Sequence, residues 1–240
     1  MASGAEKRVR IDITPSEHVT AIAYPAVHNS TETCLILAHG AGANQTSAFM
    51  VHFASALAGR SITTVTFNFL YTEQSKRLPD RNDKLEACYR CVIEAVRDGG
   101  IPGITRQTLI IGGKSMGGRI ASQVVAGGAD HIAGLVLLGY PLHPPGRPEQ
   151  LRTKHLANIR VPMLFVQGSR DAFGTPDELQ PIIRGLKAPA DLFVVEGGDH
   201  SYKVPKRSGR TQDEVYESVL GEIERWIRQR APAASGSLAY

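Results

Sequence analysis

The sequence predicts an α/β fold, in which a mostly parallel sheet of about eight strands carries helices on both faces. Short β-branched runs alternate along the chain with longer segments of helical periodicity, and this alternation is typical of a parallel sheet with crossover helices. Residues 135–138 and 163–166 are continuously apolar, as strands are when helices cover both faces of the sheet. A Gly-x-Ser-x-Gly pentapeptide at residues 113–117 joins a predicted strand to a predicted helix.

The first half of the chain begins with a hairpin and continues as alternating strands and helices. Residues 9–14 and 19–24 alternate apolar and polar side chains, which predicts an antiparallel pair at the sheet edge. Apolar or β-branched runs predict further strands at residues 34–38, 62–69 and 108–111. Apolar residues at helical spacing, with glycine just past the ends, predict helices at residues 47–57, 82–97 and 116–126.

The second half repeats this alternation. Strands are predicted at residues 135–138, 163–166 and 192–195, and a short helix is predicted at residues 150–156. Thr175 and Pro176 start a further helix that runs to about residue 185, because proline suits the first helical position. The last helix is predicted at residues 213–228. We expect one domain over residues 1–229 and a disordered tail over residues 230–240, which are small and polar.

Composition excludes several classes of function. The chain has 240 residues, a net charge of +4 and a hydrophobic content of 42%, which is ordinary for a soluble globular protein. The charge is too small and too scattered to indicate nucleic-acid binding. No run approaches the ~20 apolar residues of a spanning helix, and the N-terminus lacks the apolar run of a signal peptide. We therefore expect a cytoplasmic protein that binds neither nucleic acid nor membrane, and we expect it to be a monomer or a homodimer.

The three cysteines suggest neither a disulfide framework nor a metal site. An odd, low count suits a reducing compartment. Cys88 and Cys91 form a C-x-x-C pair, but the pair lies inside a predicted helix, whereas redox pairs of this form lie at a helix N-terminus. No second Cys/His pair completes a zinc site. We interpret both thiols as facing the core and expect no cofactor and no metal.

The pentapeptide around Ser115 predicts a nucleophile elbow. In this motif a strained turn between strand and helix lifts the serine Oγ above the sheet. Gly113 and Gly117 fit this interpretation, because side chains at those positions would collide where the strand and the helix crowd together.

A serine nucleophile needs a base, and the base needs an acid that orients it. Asp171 and His200 each follow a predicted strand, and His200 lies in a glycine-rich turn that can direct it back to the elbow. We therefore predict Ser115 as nucleophile, His200 as general base and then acid, and Asp171 as the residue that holds His200. Asp199 is a poorer candidate because it adjoins His200, and Asp177 is poorer because it starts a helix.

Two backbone donors complete the predicted catalytic site, because an oxyanion needs N–H groups aimed at it. The N–H of Met116 follows the nucleophile, and the N–H of Ala41 lies in a glycine-rich turn after the third predicted strand. We expect His39, which opens this turn, to form hydrogen bonds within it rather than to transfer protons.

The connection that could carry a cap is short. It runs from residue 139 to residue 160 and contains four prolines, so we predict a minimal cap and an open, shallow site. Six side chains are candidates for its walls, although ordinary packing is an equally open interpretation for each. They are Phe69, Tyr71, Tyr140, Leu142, His143 and Tyr202.

Four spaced motifs together resemble the α/β-hydrolase superfamily, at residues 39–42, 113–117, 168–171 and 198–200. Within it, residues 113–119, 67–69 and 199–204 are similar to a narrower group of small bacterial hydrolase-like proteins. That group resembles a eukaryotic testis-expressed protein and the α/β domain of an NSL-complex subunit, and it is distantly related to dienelactone hydrolases. Dienelactone hydrolases use a cysteine nucleophile, whereas this chain has Ser115. The resemblance therefore does not imply that the protein opens lactone rings.

The resemblance implies an α/β-hydrolase fold and a serine hydrolase that cleaves small carboxylic esters or thioesters through an acyl-enzyme. Its eukaryotic members include proteins with no established enzymatic role, so a non-catalytic module that binds a ligand or partner is the alternative. A transacylase with the same triad is also open. A peptidase would need a cap or an extra domain for which the chain has no room.

Overall fold

A computed structural model describes residues 6–27, 32–102, 104 and 108–230. Residues 231–240, which belong to the tail predicted to be disordered, lie outside this description. The predicted strands and helices all fall within it.

The described part of the chain forms one sheet of eight strands. The strands are β1 (Lys7–Asp12), β2 (His18–Tyr24), β3 (Thr33–Ala38), β4 (Thr63–Phe67), β5 (Thr108–Lys114), β6 (Ile132–Leu138), β7 (Met163–Gly168) and β8 (Ala190–Val195). Their order across the sheet is β1-β2-β4-β3-β5-β6-β7-β8. β2 pairs antiparallel with β1 and β4, and the remaining neighbours are parallel. The predicted α/β fold with a mostly parallel sheet is confirmed.

Helices connect the strands and cover the sheet. They are α1 (Ala48–Gly59), α2 (Leu70–Glu73), α3 (Asn82–Arg97), α4 (Met116–Ala126), α5 (Pro176–Arg184) and α6 (Gln212–Arg228). Thr175 caps α5 and Thr211 caps α6, each in a capping box with the glutamate three residues later, which satisfies N–H groups that lack acceptors within the helix. Within the described residues, no helix is long and apolar enough to cross a bilayer.

The helix predicted at residues 150–156 is wrong. The chain there is irregular, with one turn at residues 154–155 that leads into a 3-10 helix at Leu156–Asn158. The N–H of Arg152 donates to the carbonyl oxygen of Leu142. This acceptor lies in the loop after β6, so the bond holds the segment against that loop.

Two apolar layers cover the sheet, one on each face. α3, α4 and α5 contribute to one layer, and α1 and α6 contribute to the other. β3 and β4 are buried at every position, which explains their continuous runs of apolar and β-branched residues. In contrast, β8 is an edge strand, and Val195 is its only buried residue.

The C-x-x-C pair lies within α3, as predicted. Cys88 is buried, Cys91 is half-buried, and both are free thiols. Burial raises the pKa of the Cys88 thiol to about 12. The thiol is therefore protonated at neutral pH, whereas redox chemistry and metal binding need the thiolate.

Candidate active site

Ser115 is the single residue between β5 and α4, and its backbone is strained. Its φ is 52° and its ψ is −115°, a positive-φ conformation that is costly for any residue other than glycine. Close packing surrounds this turn, because a Cβ at Gly113 would lie 2.4 Å from the carbonyl oxygen of Ala38, and one at Gly117 would lie 2.3 Å from the same atom. The two glycines therefore allow strand and helix to meet at a sharp turn that carries Ser115.

His200 lies between Ser115 and Asp171. Its Nε2 is 2.8 Å from Oγ of Ser115, and its Nδ1 is 2.8 Å from Oδ2 of Asp171. Because an ionised carboxylate only accepts hydrogen bonds, this arrangement assigns the proton to Nδ1 and leaves Nε2 to accept from the serine hydroxyl. The Asp171 side chain is fully buried, whereas that of His200 is partly exposed. The imidazole can therefore reach a ligand while the carboxylate stays shielded.

The three side chains meet because of the sheet topology. Ser115 follows β5, Asp171 follows β7 and His200 follows β8. These strands are parallel and belong to the same half of the sheet, so their carboxyl ends lie close together.

Both carboxylate oxygens of Asp171 are held by further hydrogen bonds. Oδ1 accepts from the N–H of Phe173 at 2.8 Å, and Oδ2 accepts from Nε2 of Gln167 at 3.0 Å. Gln167 is fully buried at the end of β7 and also donates to the carbonyl oxygen of Gly174. The ring of Phe173 packs against the imidazole of His200, with centroids 4.2 Å apart. These contacts fix the positions of the acid and the base together.

Lys114, the last residue of β5, places a buried ammonium group beside the histidine. Its Nζ donates a hydrogen bond to the main-chain carbonyl oxygen of His200. It also lies 5.7 Å from the ring centroid of Tyr202 and 6.0 Å from that of Phe49, within cation–π range. Burial lowers the pKa of Lys114 to about 8, against the opposing effect of nearby aspartates.

Both predicted oxyanion donors belong to residues on the wall of one cavity. Ala41 and Met116 line the space that Ser115 and His200 also face. Met116 is the first residue of α4, and the first N–H groups of a helix have no acceptor within it. The two N–H groups remain predicted donors.

His39 holds the turn that carries Ala41, as the sequence predicted. Its Nδ1 donates to the carbonyl oxygen of Gly40 at 2.8 Å, and its Nε2 accepts from the N–H of Phe69 at 3.2 Å. Burial lowers the pKa of His39, so the imidazole is neutral and both nitrogens are occupied within the fold.

The cavity in front of Ser115 has a volume of about 660 Å³. Its apolar wall includes Phe49, Met50, Leu85 and Phe173, and charged side chains also reach it. The connection between β6 and β7 contains only the 3-10 helix, which agrees with the predicted minimal cap.

The six side chains predicted for the walls do not line this cavity. Each is at most 5% exposed, and none contributes to the cavity surface. They are Phe69, Tyr71, Tyr140, Leu142, His143 and Tyr202. The hydroxyl of Tyr140 donates to the carbonyl oxygen of Arg152, and that of Tyr202 donates to the carbonyl oxygen of Val166. Main-chain acceptors therefore satisfy these two hydroxyl groups inside the fold. The structure supports ordinary packing, rather than substrate contact, as the role of the six side chains.

Sequence reasoning missed Lys114, Gln167, Phe173, Arg119 and Arg152. Lys114 and Gln167 did carry a signal, because polar residues at the ends of apolar strands are rarely buried without a specific partner. The other three contribute to the cavity through loop and helix packing, for which the sequence has no comparable pattern.

Comparison with known proteins identifies the architecture. Residues 31–228 match the model of a family described as an alpha/beta hydrolase domain. This match covers most of the chain.

Solved structures share the fold over nearly the whole chain. A dienelactone hydrolase from Anabaena variabilis has a TM-score of 0.76 and 15% identity, over 96% of this chain and 100% of that one. An α/β serine hydrolase without lid from Xanthomonas campestris has a TM-score of 0.73 and 18% identity, over 98% and 99%. A thermostable carboxyl esterase from Bacillus coagulans has a TM-score of 0.72 and 11% identity, over 96% and 100%.

Proposed function

This chain belongs to the alpha/beta hydrolase domain family, and from this premise we propose that it is a serine hydrolase that cleaves small carboxylic esters or thioesters. The observation that carries the proposal is the hydrogen-bonded line from Ser115 through His200 to Asp171, with 2.8 Å at each link. A serine in such a line can lose its proton as it attacks a carbonyl carbon.

The proposed reaction has two halves. Oγ of Ser115 attacks the carbonyl carbon while Nε2 of His200 takes its proton, and the carboxylate of Asp171 stabilises the resulting imidazolium. The tetrahedral intermediate then expels the alcohol or thiol, which takes the proton back from Nε2. Water, activated by His200 in the same way, releases the acid from the acyl-serine and restores the hydroxyl of Ser115.

The N–H groups of Ala41 and Met116 are the proposed donors to the oxyanion. Support comes from their position on the wall that Ser115 faces and from the start of α4 at Met116. The positive end of the helix dipole there favours a developing negative charge. Gly42, with a φ of +73°, allows the turn that contains Ala41 to bend.

The cavity suits a small-molecule ester. Its volume of about 660 Å³ lies within the usual range for small-molecule sites. The apolar side chains of Phe49, Met50 and Leu85 suit a hydrocarbon chain. The Bacillus coagulans protein with a similar fold is a carboxyl esterase, which agrees with an ester as substrate.

Covalent labelling tests the nucleophile. A fluorophosphonate probe should label the wild-type protein and should fail to label Ser115→Ala. Ser208→Ala, which removes an exposed serine outside the cavity wall, is the matched control and should be labelled like the wild type. A wild-type protein that resists labelling would favour the non-catalytic binding module.

Turnover tests the substrate class. A panel of p-nitrophenyl esters and matching thioesters of increasing acyl length should show hydrolysis that favours short chains. Ser115→Ala should lower kcat by at least about a thousandfold. If that variant retains hydrolysis of p-nitrophenyl acetate, the nucleophile is a different residue.

A further inference from the structure

A second cavity of about 340 Å³ adjoins the one in front of Ser115. The two cavities share Asn82, Arg119 and Arg152 in their walls. Lys154 also lines the smaller cavity, and the described residues of its wall include no carboxylate. The smaller cavity is therefore a positively charged space that opens towards the proposed nucleophile.

Arg119 is fixed in an orientation that leaves donors unused. It lies on the first turn of α4, where it is half-buried. Its Nη1 donates to Oε1 of Gln123 and its Nη2 donates to Oδ1 of Asn82, each at 3.2 Å. Both acceptors are neutral, so these bonds orient the guanidinium without balancing its charge. Its remaining N–H donors are available to a ligand.

Arg152 is fixed through its main chain. Its N–H donates to the carbonyl oxygen of Leu142 at 2.8 Å, and its carbonyl oxygen accepts from the hydroxyl of Tyr140 at 2.7 Å. Among the described residues, its guanidinium has neither a hydrogen-bond acceptor nor an ion-pair partner. Arg152 is thus a half-buried arginine at the cavity wall, and the N–H donors of its guanidinium are free to bind a ligand.

In the described part of the chain, no carboxylate lines the smaller cavity. Burial and the charge of Arg152 both lower the pKa of Arg119. Glu86 and Tyr140 oppose this shift, but neither forms an ion pair with Arg119 in the described structure. His155 is neutral at pH 7, because burial and the charge of Arg119 lower its pKa to about 4. Like charges that are held close together and partly shielded from water are unfavourable unless a ligand supplies the counter-charge.

We propose that the smaller cavity is a subsite for a phosphate group on the ester or thioester that Ser115 attacks, an inference that rests on the proposed hydrolase function. Guanidinium groups match phosphate oxygens with paired hydrogen bonds. The wall has three cationic side chains and no carboxylate among its described residues. It therefore favours a ligand group with two negative charges over one with the single charge of a carboxylate. Asp80 stands among the cations of the larger cavity, whereas the described wall of the smaller one has no acidic side chain, so a phosphate in the smaller cavity meets no carboxylate.

Binding tests the subsite without turnover. Ser115→Ala protein is titrated calorimetrically with inorganic phosphate and, separately, with acetate in low-salt buffer. We expect phosphate to bind more tightly than acetate, which carries the single charge of a carboxylate. Adding Arg152→Met should weaken phosphate binding by about tenfold or more, since hydrogen bonds to charged groups are worth about 1.5–3 kcal/mol. Arg152→Lys should recover part of the affinity because it keeps the charge.

Arg184→Met is the matched control for the calorimetry. It removes an exposed arginine from α5, outside both cavities, and should leave phosphate binding unchanged. If acetate binds as tightly as phosphate, the assignment to phosphate is wrong. If neither anion binds, the subsite does not exist.

Kinetics connect the subsite to the reaction. The kcat/KM of the wild type is measured for acetoxyalkyl phosphates and for the acetoxyalkyl alcohols of the same length. We expect a preference of about tenfold or more for the phosphates, and Arg119→Met and Arg152→Met should each reduce it. If phosphate binds but neither ester is cleaved, the subsite is supported and the hydrolase proposal fails. If both esters are cleaved equally well, the hydrolase proposal is supported and the phosphate subsite is overturned.

Discussion

The ammonium group of Lys114 donates a hydrogen bond to the main-chain carbonyl oxygen of His200. This bond joins the strand that precedes the proposed nucleophile to the loop that carries the proposed base. Gly139 leaves room for it, because a Cβ there would lie 2.9 Å from Nζ of Lys114. The two halves of the site are thus tied together by a side chain outside the triad.

Replacing Lys114 by methionine should slow the reaction. The loop of His200 would lose its link to β5, and small displacements of catalytic groups can cost up to about a hundredfold in rate. We expect kcat for p-nitrophenyl acetate to fall by about tenfold or more. Lys187→Met, which removes an exposed lysine, is the control. Equal kcat values for the Lys114 variant and the wild type would show that the hydrogen bond does not position His200.

The buried ammonium of Lys114 should make stability depend on pH in the alkaline range. Burial lowers its pKa from 10.5 to about 8, so between these values the unfolded chain binds more protons than the folded one. The free energy of unfolding of the wild type should therefore rise relative to Lys114→Met as pH increases from 8 to 10.5. At about 1.4 kcal/mol per pKa unit, the full difference is on the order of 3 kcal/mol. Urea denaturation of both proteins across this range measures it, and parallel pH curves would contradict it.

Two glycine-to-alanine substitutions should have opposite effects. A Cβ at Gly117 would lie 2.3 Å from a carbonyl oxygen in β3, whereas one at Gly221, within α6, meets no atom within 4 Å. Gly117→Ala should destabilise the fold by about 3 kcal/mol or more, and Gly221→Ala should stabilise it by about 0.5–1 kcal/mol. Thermal or urea unfolding measures both effects. A neutral Gly117→Ala would mean that the turn around Ser115 can widen.

His155 should contribute to acid sensitivity. Its pKa is lowered from 6.5 to about 4, first by burial and then by the charge of Arg119. Between pH 6.5 and 4 the unfolded chain therefore binds a proton that the folded chain does not, so stability falls as pH falls through this window. His155→Gln should lose stability less steeply over the same range. Urea midpoints of both proteins across this window check this, and identical slopes would contradict the assignment.

Much of the fold and of the candidate site could be predicted because both depend on regular patterns. Continuous apolar runs marked the parallel strands, and the order of Ser115, Asp171 and His200 along the chain placed each after its own strand. The structure brings these three together because the carboxyl ends of parallel strands meet. The turn at Ser115 was located from the glycine spacing together with the predicted strand before it and the predicted helix after it.

The remaining features depend on contacts that no local pattern encodes. Tyr140 and Tyr202 have polar ends typical of a pocket wall, but their hydroxyls reach main-chain oxygens inside the fold. The segment predicted as a helix at residues 150–156 is irregular instead, and it is held to the loop after β6 by the bond from the N–H of Arg152. Gln167 lies at the end of an apolar run, and its role becomes visible only when its bond to Asp171 is known.

The proposed nucleophile and its base are attached to strands that differ in local stability. Ser115 follows β5, which lies inside the sheet, whereas His200 follows β8, an edge strand with one buried residue. Edge segments open locally at a lower free-energy cost than central strands. In mild denaturant, β8 should detach from the sheet first and displace His200, while most of the helical signal persists. Enzyme inactivation should therefore precede global unfolding.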